Sequence, residues 1–241
     1  MLQIGLYWNK KSRKGKKYFG TDQIIGNQTM SFDLQNNEKL SPWWRYITFL
    51  VMIVGFTILG LITSIAYDNT APIPKQVVDP EGRVIFTGEQ VTRGQGVFLK
   101  NNLMEHGTLW GHGAYLGPDY SASYLHEQTL FMQKILADEI YHKPFDQLND
   151  FEKGSVTQEI PKILKLNRYN PQTKTLLFTN EESKAYAHNL DFWRNYFTSG
   201  EAPGLPKNYI SNPEDLSNLT SFFAWASWAS ATKRPGEDFT Y

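Results

Sequence analysis

Residues 105–119 read EHGTLWGHGAYLGPD, and the interpretation of the whole chain starts from this stretch. Its glycines surround Trp110, His112 and Tyr115, and a proline and an aspartate close it. Such a density of glycine indicates backbone with positive φ or backbone pressed against a large group, so regular helix or strand is not expected. An apolar segment of membrane length precedes the stretch, and an aromatic-rich region follows it. We therefore interpret residues 105–119 as a loop where a folded domain meets a partner.

The composition excludes several functional classes. The 24 basic and 24 acidic residues give a formal net charge of zero, so the chain lacks the basic footprint of a nucleic-acid-binding protein. The absence of cysteine excludes disulfides, thiolate zinc sites, iron–sulfur clusters and haem c attached covalently through CxxCH. Aromatic residues make up 15% of the chain, which is typical of proteins at a membrane interface.

The N-terminal part divides into a tail and a membrane helix. Residues 1–41 are polar and basic without apolar periodicity, which predicts a disordered cytoplasmic tail, and the start of the protein is either Met1 or Met30. Residues 42–67 are predicted to form a transmembrane helix, because about 22 uncharged residues at 1.5 Å each cross a ~30 Å hydrocarbon layer. The basic segment before the helix is expected to stay in the cytoplasm, so residues 68–241 are expected on the periplasmic or external side of the cytoplasmic membrane.

The external region is predicted to be mainly helical. We expect a strand over residues 84–87, a helix from Thr92 to about residue 101, and a helix with one apolar face over residues 124–139. A further helix is expected over residues 151–166, kinked or split by Pro161.

The last third of the chain carries a hairpin and two capped helices. An Asn-Pro turn within residues 168–178 predicts a small β-hairpin. Thr179 and Glu182 form a capping box that opens the next helix. Asn212 caps a final helix that runs to about residue 232, which we expect at or near the membrane surface or packed on a membrane partner.

The loop residues leave two kinds of metal site open. The histidines at positions 106, 112 and 126 match no zinc signature, so a site built from them is the weaker alternative. Calcium prefers oxygen ligands, including backbone carbonyls that glycine leaves accessible. The Gly113 carbonyl and the Tyr115 hydroxyl are therefore candidate calcium ligands, with a partner supplying the rest.

Four segments resemble one known family. Residues 92–128, TRGQGVFLKNNLMEHGTLWGHGAYLGPDYSASYLHEQ, are similar to the matching stretch of quinol-dependent nitric oxide reductases. Residues 42–67 resemble the first membrane helix of those enzymes. The segments LNRYNPQTKTLLFT (166–179) and FFAWASWASATKRPGEDFTY (222–241) resemble later parts of the same proteins. The resemblance covers roughly residues 40–241.

The resemblance implies a cytochrome-c-like external domain that carries no haem c. Related subunits have CxxCH followed by a G-x-G-A-Y loop. Counting back from residues 111–115 places Leu103 and His106 at the cysteine positions and Gly107 at the axial histidine position. The expected fold is therefore one N-terminal transmembrane helix plus an extracytoplasmic cytochrome-c-like helical domain with a small hairpin.

The resemblance also assigns the loop a contact with another chain's cofactor. In the related subunits the matching glycine carbonyl and tyrosine help to hold a calcium ion that bridges haem propionates of the large subunit. Here Gly113 and Tyr115 would make that shared calcium or haem-propionate contact, although His112 replaces the usual glutamate. We expect Trp110, His112, Phe222 and Trp225 to form the partner interface.

The family continues through a bundle of membrane helices that holds haem b and a non-haem iron, whereas this chain ends at Tyr241. The chain is therefore expected to be a separate subunit, or the front piece of a split or truncated enzyme, that caps the catalytic part without catalysing alone. Its partners would be that catalytic part, membrane lipid and, in the complex, quinol. The alternative is a non-enzymatic, membrane-anchored binding or sensing module. It would cover its own aromatic residues, whereas a subunit would expose them.

Overall fold

A computed structural model of the chain describes residues 41–68 and 70–241, so the predicted disordered tail lies outside the described residues except for residue 41. The first element is helix α1, Trp43–Asp68. Within the described ranges, one helix is long and apolar enough to cross a membrane: residues Trp43–Tyr67, with a mean hydropathy of 2.5. Its side chains are exposed throughout, as expected of a helix whose surroundings are lipid. The helix agrees with the predicted membrane anchor.

Five further helices build the domain that follows. They are α2 (Gly88–Lys100), α3 (Tyr120–Tyr141), α4 (Asp150–Lys165), α5 (Asn180–Thr198) and α6 (Pro213–Ala231). One sheet has the strand order β2-β1-β6-β5 and comprises β1 (Gln76–Val78), β2 (Val84–Thr87), β5 (Tyr169–Asn170) and β6 (Thr175–Leu177). In it β1 pairs antiparallel with β2 and parallel with β6. The second sheet is a hairpin of β3 (Thr108–Leu109) and β4 (His112–Gly113). The domain is therefore mainly α-helical, as predicted.

Helix α6 is the centre of the domain, not a surface element. Phe222, Phe223 and Trp228 are at most 7% exposed, and α6 packs against α2, α3 and α5. The apolar residues of this helix are therefore explained by packing inside the domain, and its position at or near the membrane surface stays a prediction. Its apolar residues surround the axis instead of forming one stripe, and a helix that is apolar all round is buried.

Helix α2 begins earlier than the sequence indicated. Its N-cap is Thr87, whose hydroxyl accepts from the Gln90 N–H, while the Gln90 side chain accepts from the Thr87 N–H at 2.9 Å. The predicted cap, Thr92, lies inside the helix and donates its hydroxyl to the Gly88 carbonyl. The capping box at Thr87 satisfies N–H groups that the first helical turn would otherwise leave unpaired.

Helix α4 runs unbroken through Pro161, so the predicted split does not occur. A capping box of Asn149 and Glu152 fixes its start, and Val156 and Ile160 are buried in a second apolar cluster with residues of α3. Tertiary packing of this face compensates for the hydrogen bond that proline removes.

The predicted hairpin and the predicted caps of α5 and α6 are confirmed. The Asn170 side chain accepts from the Gln172 and Thr173 N–H groups in the turn between β5 and β6. The capping box of Thr179 and Glu182 opens α5. The Asn212 side chain accepts at the start of α6.

Candidate functional site

Regular strand was not expected in residues 105–119, but the glycine-rich loop contains a tight hairpin between the short strands β3 and β4. Its two turn residues, Trp110 and Gly111, have φ values of 52° and 78°. Positive φ at both central positions is characteristic of a type I′ turn, whose twist matches that of the flanking strands. Because a bulky residue rarely adopts positive φ, Trp110 needs outside support. Its indole N–H donates to the Ala226 carbonyl at 2.9 Å, which ties the turn to α6.

Asp119 holds this hairpin against the start of α3. One carboxylate oxygen accepts from the Thr108 hydroxyl and the Gly111 N–H, both at 2.7 Å. The other accepts from the Ser121 hydroxyl and, as the N-cap of α3, from the Ala122 N–H. Burial raises the pKa of Asp119, but these four hydrogen bonds lower it by more, so its pKa lies below the ordinary value.

Two glycines of the loop are required by close approach of backbone to backbone. At Gly113 φ is 138°, and a Cβ there would lie 2.3 Å from the Gly107 carbonyl oxygen. At Gly107 a Cβ would lie 2.3 Å from the Pro118 carbonyl oxygen and 2.8 Å from the Tyr120 ring. The loop therefore folds back on itself at a separation that no side chain tolerates.

The outer side of the loop is apolar and open to solvent. Tyr115 is 87% exposed, Leu116 70%, Trp110 45% and Met104 40%, and His112 is also exposed. We call these five residues the loop tip. Gly113, the second predicted calcium ligand, is exposed next to them. The structure thus brings Trp110, His112, Gly113 and Tyr115 into one exposed loop.

The other two predicted interface residues lie on α6. Trp225 is half-buried, with its ring centroid 5.6 Å from that of Trp110, and its indole N–H donates to the Pro72 carbonyl at 3.0 Å. Phe222 is only 3% exposed and packs against Phe98 and Phe223. Since Phe222 belongs to the domain core, it is not available to a partner, and we correct that expectation.

The three positions that the resemblance relates to haem attachment face the domain's own side chains. Leu103 is fully buried in the main core, and His106 is 5% exposed. The His106 Nε2 lies 3.0 Å from the Tyr196 hydroxyl. Gly107 has no space for a Cβ, as described above. Aromatic residues of α3, α5 and α6 pack tightly on this side, among them Tyr120, Trp193, Phe197 and Phe223.

The predicted histidine alternative gains no support. His106 is buried beside Tyr196, His112 is exposed in β4, and His126 is exposed on α3. Among residues 41–68 and 70–241, no three His, Asp or Glu side chains are grouped so that they could hold a metal ion.

Asp119 was not singled out from the sequence, although the signal is present. An aspartate after Gly-Pro and before an apolar helix is a typical N-cap. What the sequence does not reveal is that the same carboxylate also accepts from the hairpin.

Burial of His106 makes the stability of the domain depend on pH. Burial lowers the pKa of His106 below its ordinary value. Just below pH ~6.5 the unfolded chain therefore binds more protons than the folded chain. As far as His106 is concerned, the free energy of unfolding is highest above that pH and falls as the pH drops toward the pKa of His106 in the folded chain. We expect His106→Gln to remove this loss. The measurement is the unfolding midpoint of the full chain in detergent between pH 5 and pH 8.

The control for this prediction is His126→Gln, which changes an exposed histidine of α3. It should retain the pH dependence of the unmodified chain. An unchanged pH profile in His106→Gln would contradict the prediction.

The fold and the site define a class: a helix of membrane-spanning length followed by a small, mainly helical domain with a glycine-rich loop whose apolar tip is exposed. Comparison with known families identifies the class more closely. The profile of the cytochrome c-like domain of NorB, a nitric oxide reductase subunit, matches residues 74–241. The chain belongs to this family, which implies a role related to nitric oxide reduction alongside a catalytic partner. A search of curated proteins returned no match.

Proposed function

We propose that this chain is the N-terminal portion or subunit of a membrane-bound, quinol-dependent nitric oxide reductase, and that it caps the haem-bearing catalytic part. The complex would catalyse 2 NO + 2 e⁻ + 2 H⁺ → N₂O + H₂O with electrons from quinol in the membrane. This chain would not carry out the chemistry. It would shield the haem propionates from water, because burial and hydrogen bonds around a haem set its potential.

The exposed loop tip is the observation that carries the proposal. Single exposed apolar side chains are common, but several of them in one loop indicate an interaction surface, and here Tyr115 and Leu116 are 87% and 70% exposed. The backbone beneath them is fixed by the hydrogen bonds of Asp119 and by the indole N–H of Trp110. A rigid support that presents aromatic and aliphatic groups is what a protein interface needs, since little ordering entropy is lost on binding.

A shared calcium ion fits this loop only if the partner completes the site. Calcium takes about 6–8 oxygen ligands. The exposed Gly113 and Tyr115 offer at most a carbonyl and a hydroxyl, and both are neutral. The nearby Asp119 carboxylate already accepts four hydrogen bonds within its own chain. We therefore propose that the catalytic part supplies most of the ligands, or that Tyr115 contacts a haem propionate directly.

The proposed arrangement also has a direction across the membrane. The basic residues before α1 favour a cytoplasmic N-terminus, which would put the domain on the external face of the cytoplasmic membrane. The loop tip would then meet the catalytic part outside the hydrocarbon layer, and lipid would surround α1.

Co-purification tests the proposal. Tyr115→Ala is expected to reduce the amount of haem b that co-purifies with the chain from native membranes by about tenfold, the effect of losing an interface residue that contributes ~1.4 kcal/mol. Tyr115→Phe keeps the ring and isolates the contribution of the hydroxyl, and we expect a smaller loss. An optical scan for b-type haem together with a pull-down of the tagged chain gives both readings.

Phe151 provides the matched control, because it is 83% exposed on α4 and lies outside the loop. Phe151→Ala should leave co-purification unchanged. If Tyr115→Ala behaves like Phe151→Ala, the capping role of the loop is wrong. If the unmodified chain emerges alone and colourless, the alternative of a free-standing binding or sensing module is favoured instead.

A further inference from the structure

A groove of about 740 Å³ opens beside the loop tip, on the inner side of Trp110. This volume lies within the range of roughly 300–1,000 Å³ that is typical of sites for small molecules. The groove is lined by the segment after α1, the loop, α3, α6 and the C-terminal segment. The lining residues include Thr70, Ala71, Trp110, Leu125, Trp225 and Tyr241. All of them belong to the same compact unit of the chain.

The groove offers mainly apolar surface. Trp110 and Trp225 both donate their indole N–H groups to backbone carbonyls, at 2.9 and 3.0 Å, so their rings provide apolar faces. Among the described residues of the lining, Asp119 has the one charged side chain, and its carboxylate is occupied by four hydrogen bonds. A ligand that needs strong hydrogen bonds would find few partners here, whereas a hydrocarbon chain would replace water on the aromatic and aliphatic walls.

The groove starts close to the end of the membrane helix. The apolar span ends at Tyr67, and Thr70 is three residues further along the chain. Three residues reach at most ~11 Å even when fully extended. The wall formed by Thr70 and Ala71 is therefore within reach of the headgroup layer of the bilayer, where lipids are the most abundant apolar ligands.

A cation without an acidic partner lies next to the groove. The Arg234 guanidinium stacks over the rings of Phe239 and Tyr241, with its Cζ 5.1 and 5.7 Å from the ring centroids. Within the described part of the chain, no carboxylate lies within 4.0 Å of Arg234, and its buried Nε has no hydrogen-bond partner. The neighbouring Lys233 is paired with Asp238. Arg234 thus places an unneutralised positive charge beside an apolar wall of the groove.

We propose that the groove binds one acyl chain of an anionic phospholipid, whose phosphate lies at Arg234. The hydrocarbon chain is already in apolar surroundings within the bilayer, so the gain comes from removing the groove's own apolar surface from water. Arginine is well suited to hold the phosphate because its planar guanidinium forms paired hydrogen bonds with phosphate oxygens. The lipid site does not depend on the proposed capping role and would form in the chain by itself.

Photochemical labelling tests the lipid site. The full chain is reconstituted in vesicles of phosphatidylcholine and phosphatidylglycerol that contain a trace of phosphatidylglycerol with a diazirine at the end of one acyl chain. After illumination, mass spectrometry of peptides is expected to find label on α1, which serves as the internal standard, and also on peptides that contain Leu125, Trp225 or Tyr241. Label on α1 without label in the groove would overturn the proposal.

Two pairs of variants sharpen this test. Ser230 is an exposed groove residue, so Ser230→Trp should obstruct the groove and reduce its label severalfold, whereas Ser155→Trp, at an exposed position of α4, should not. Arg234→Gln should abolish the preference for the phosphatidylglycerol probe over the same probe with a phosphatidylcholine head. Arg234→Lys keeps the charge without the paired hydrogen bonds and should retain part of that preference. If Ser230→Trp left the amount of label on the groove peptides unchanged, that result would contradict the proposal.

The same probe separates lipid from protein occupancy. The chain is also purified together with its catalytic partner and labelled in the same way. If residues of the groove then cross-link to the partner and carry no lipid label, a protein segment fills the groove and the lipid proposal is wrong. Because the vesicle experiment contains no partner, its failure leaves the capping role untouched, and failure of the Tyr115 experiment leaves the lipid site untouched.

Discussion

Gly94→Ala is expected to destabilise the domain by about 3 kcal/mol, at the upper end of what overpacking usually costs. Gly94 lies where α2 crosses α6, and a Cβ there would be 2.0 Å from the Asn218 carbonyl oxygen and 2.8 Å from the Phe222 Cβ. Both contacts are made with main-chain or Cβ atoms, which cannot rotate away. The two helices would have to separate, and the aromatic core around Phe98 and Phe222 would lose its packing.

The same helix offers the control. Gly96 is exposed, and a Cβ there meets no atom within 4 Å. Gly96→Ala should therefore stabilise the domain by roughly 0.5–1 kcal/mol through helix propensity alone. Denaturant-induced unfolding of the full chain in detergent, followed by circular dichroism, gives both values. Equal effects of the two substitutions would show that α2 and α6 do not approach each other as closely as described.

Asp119→Ala is expected to cost about 3 kcal/mol, because it removes an N-cap of ~1 kcal/mol together with hydrogen bonds to a charged acceptor that contribute ~1.5–3 kcal/mol each but are not additive. The hairpin would lose the acceptor for Thr108 and Gly111, and α3 would lose its cap. Asp119 is half-buried, so solvent screening keeps the loss below the simple sum. The unfolding midpoint measures the loss.

Asp119→Asn and the pH dependence of stability make this prediction specific. Asparagine keeps an oxygen for the Ala122 N–H but presents an NH₂ group in place of the second acceptor. We therefore expect Asp119→Asn to lower the free energy of unfolding by less than Asp119→Ala does. Because the folded pKa of Asp119 is lowered, its contribution is present above the unfolded pKa of ~3.9 and is lost as the pH falls through the folded value. Asp119→Ala should lack this acid-dependent part. A variant as stable as the original chain at pH 7 would show that the carboxylate is not the support of the loop.

Local signals were sufficient for those elements whose caps and turns are made by neighbouring residues. The Asn170 turn, the capping box at Thr179 and the cap at Asn212 all depend on side chains within three residues of the N–H groups they satisfy. Such short-range hydrogen bonds are visible in a sequence because only a few residue types can make them. The membrane helix is equally evident, since composition and length alone define it.

Tertiary packing explains what the sequence did not reveal. The N-cap of helix α2 is Thr87 and not Thr92 because Gln90 completes a capping box there, and the preceding strand β2 ends at the same residue. The position of α6 depends on four neighbouring elements, so the sequence did not reveal that most of its aromatic residues are buried inside the domain. For the same reason Phe222 was assigned to an interface when it belongs to the core.

The candidate site was predicted in part. The exposed loop with Trp110, Gly113 and Tyr115 follows from glycine density, but the role of Asp119 requires knowing that β3 and the start of α3 are adjacent. The groove is formed by five segments distant in sequence, so no local pattern indicates it. Binding of calcium or a propionate at Gly113 and Tyr115 stays a prediction.

The close packing at Gly107 limits which side chains this position can carry. Placing Cys-x-x-Cys-His over residues 103–107 would require Gly107→His, yet even the first carbon of that side chain would overlap the Pro118 carbonyl. Tyr120 and Phe223, stacked at 4.9 Å, would have to move as well. Introducing the haem c attachment motif alone over residues 103–107 would therefore not create a haem site in this domain.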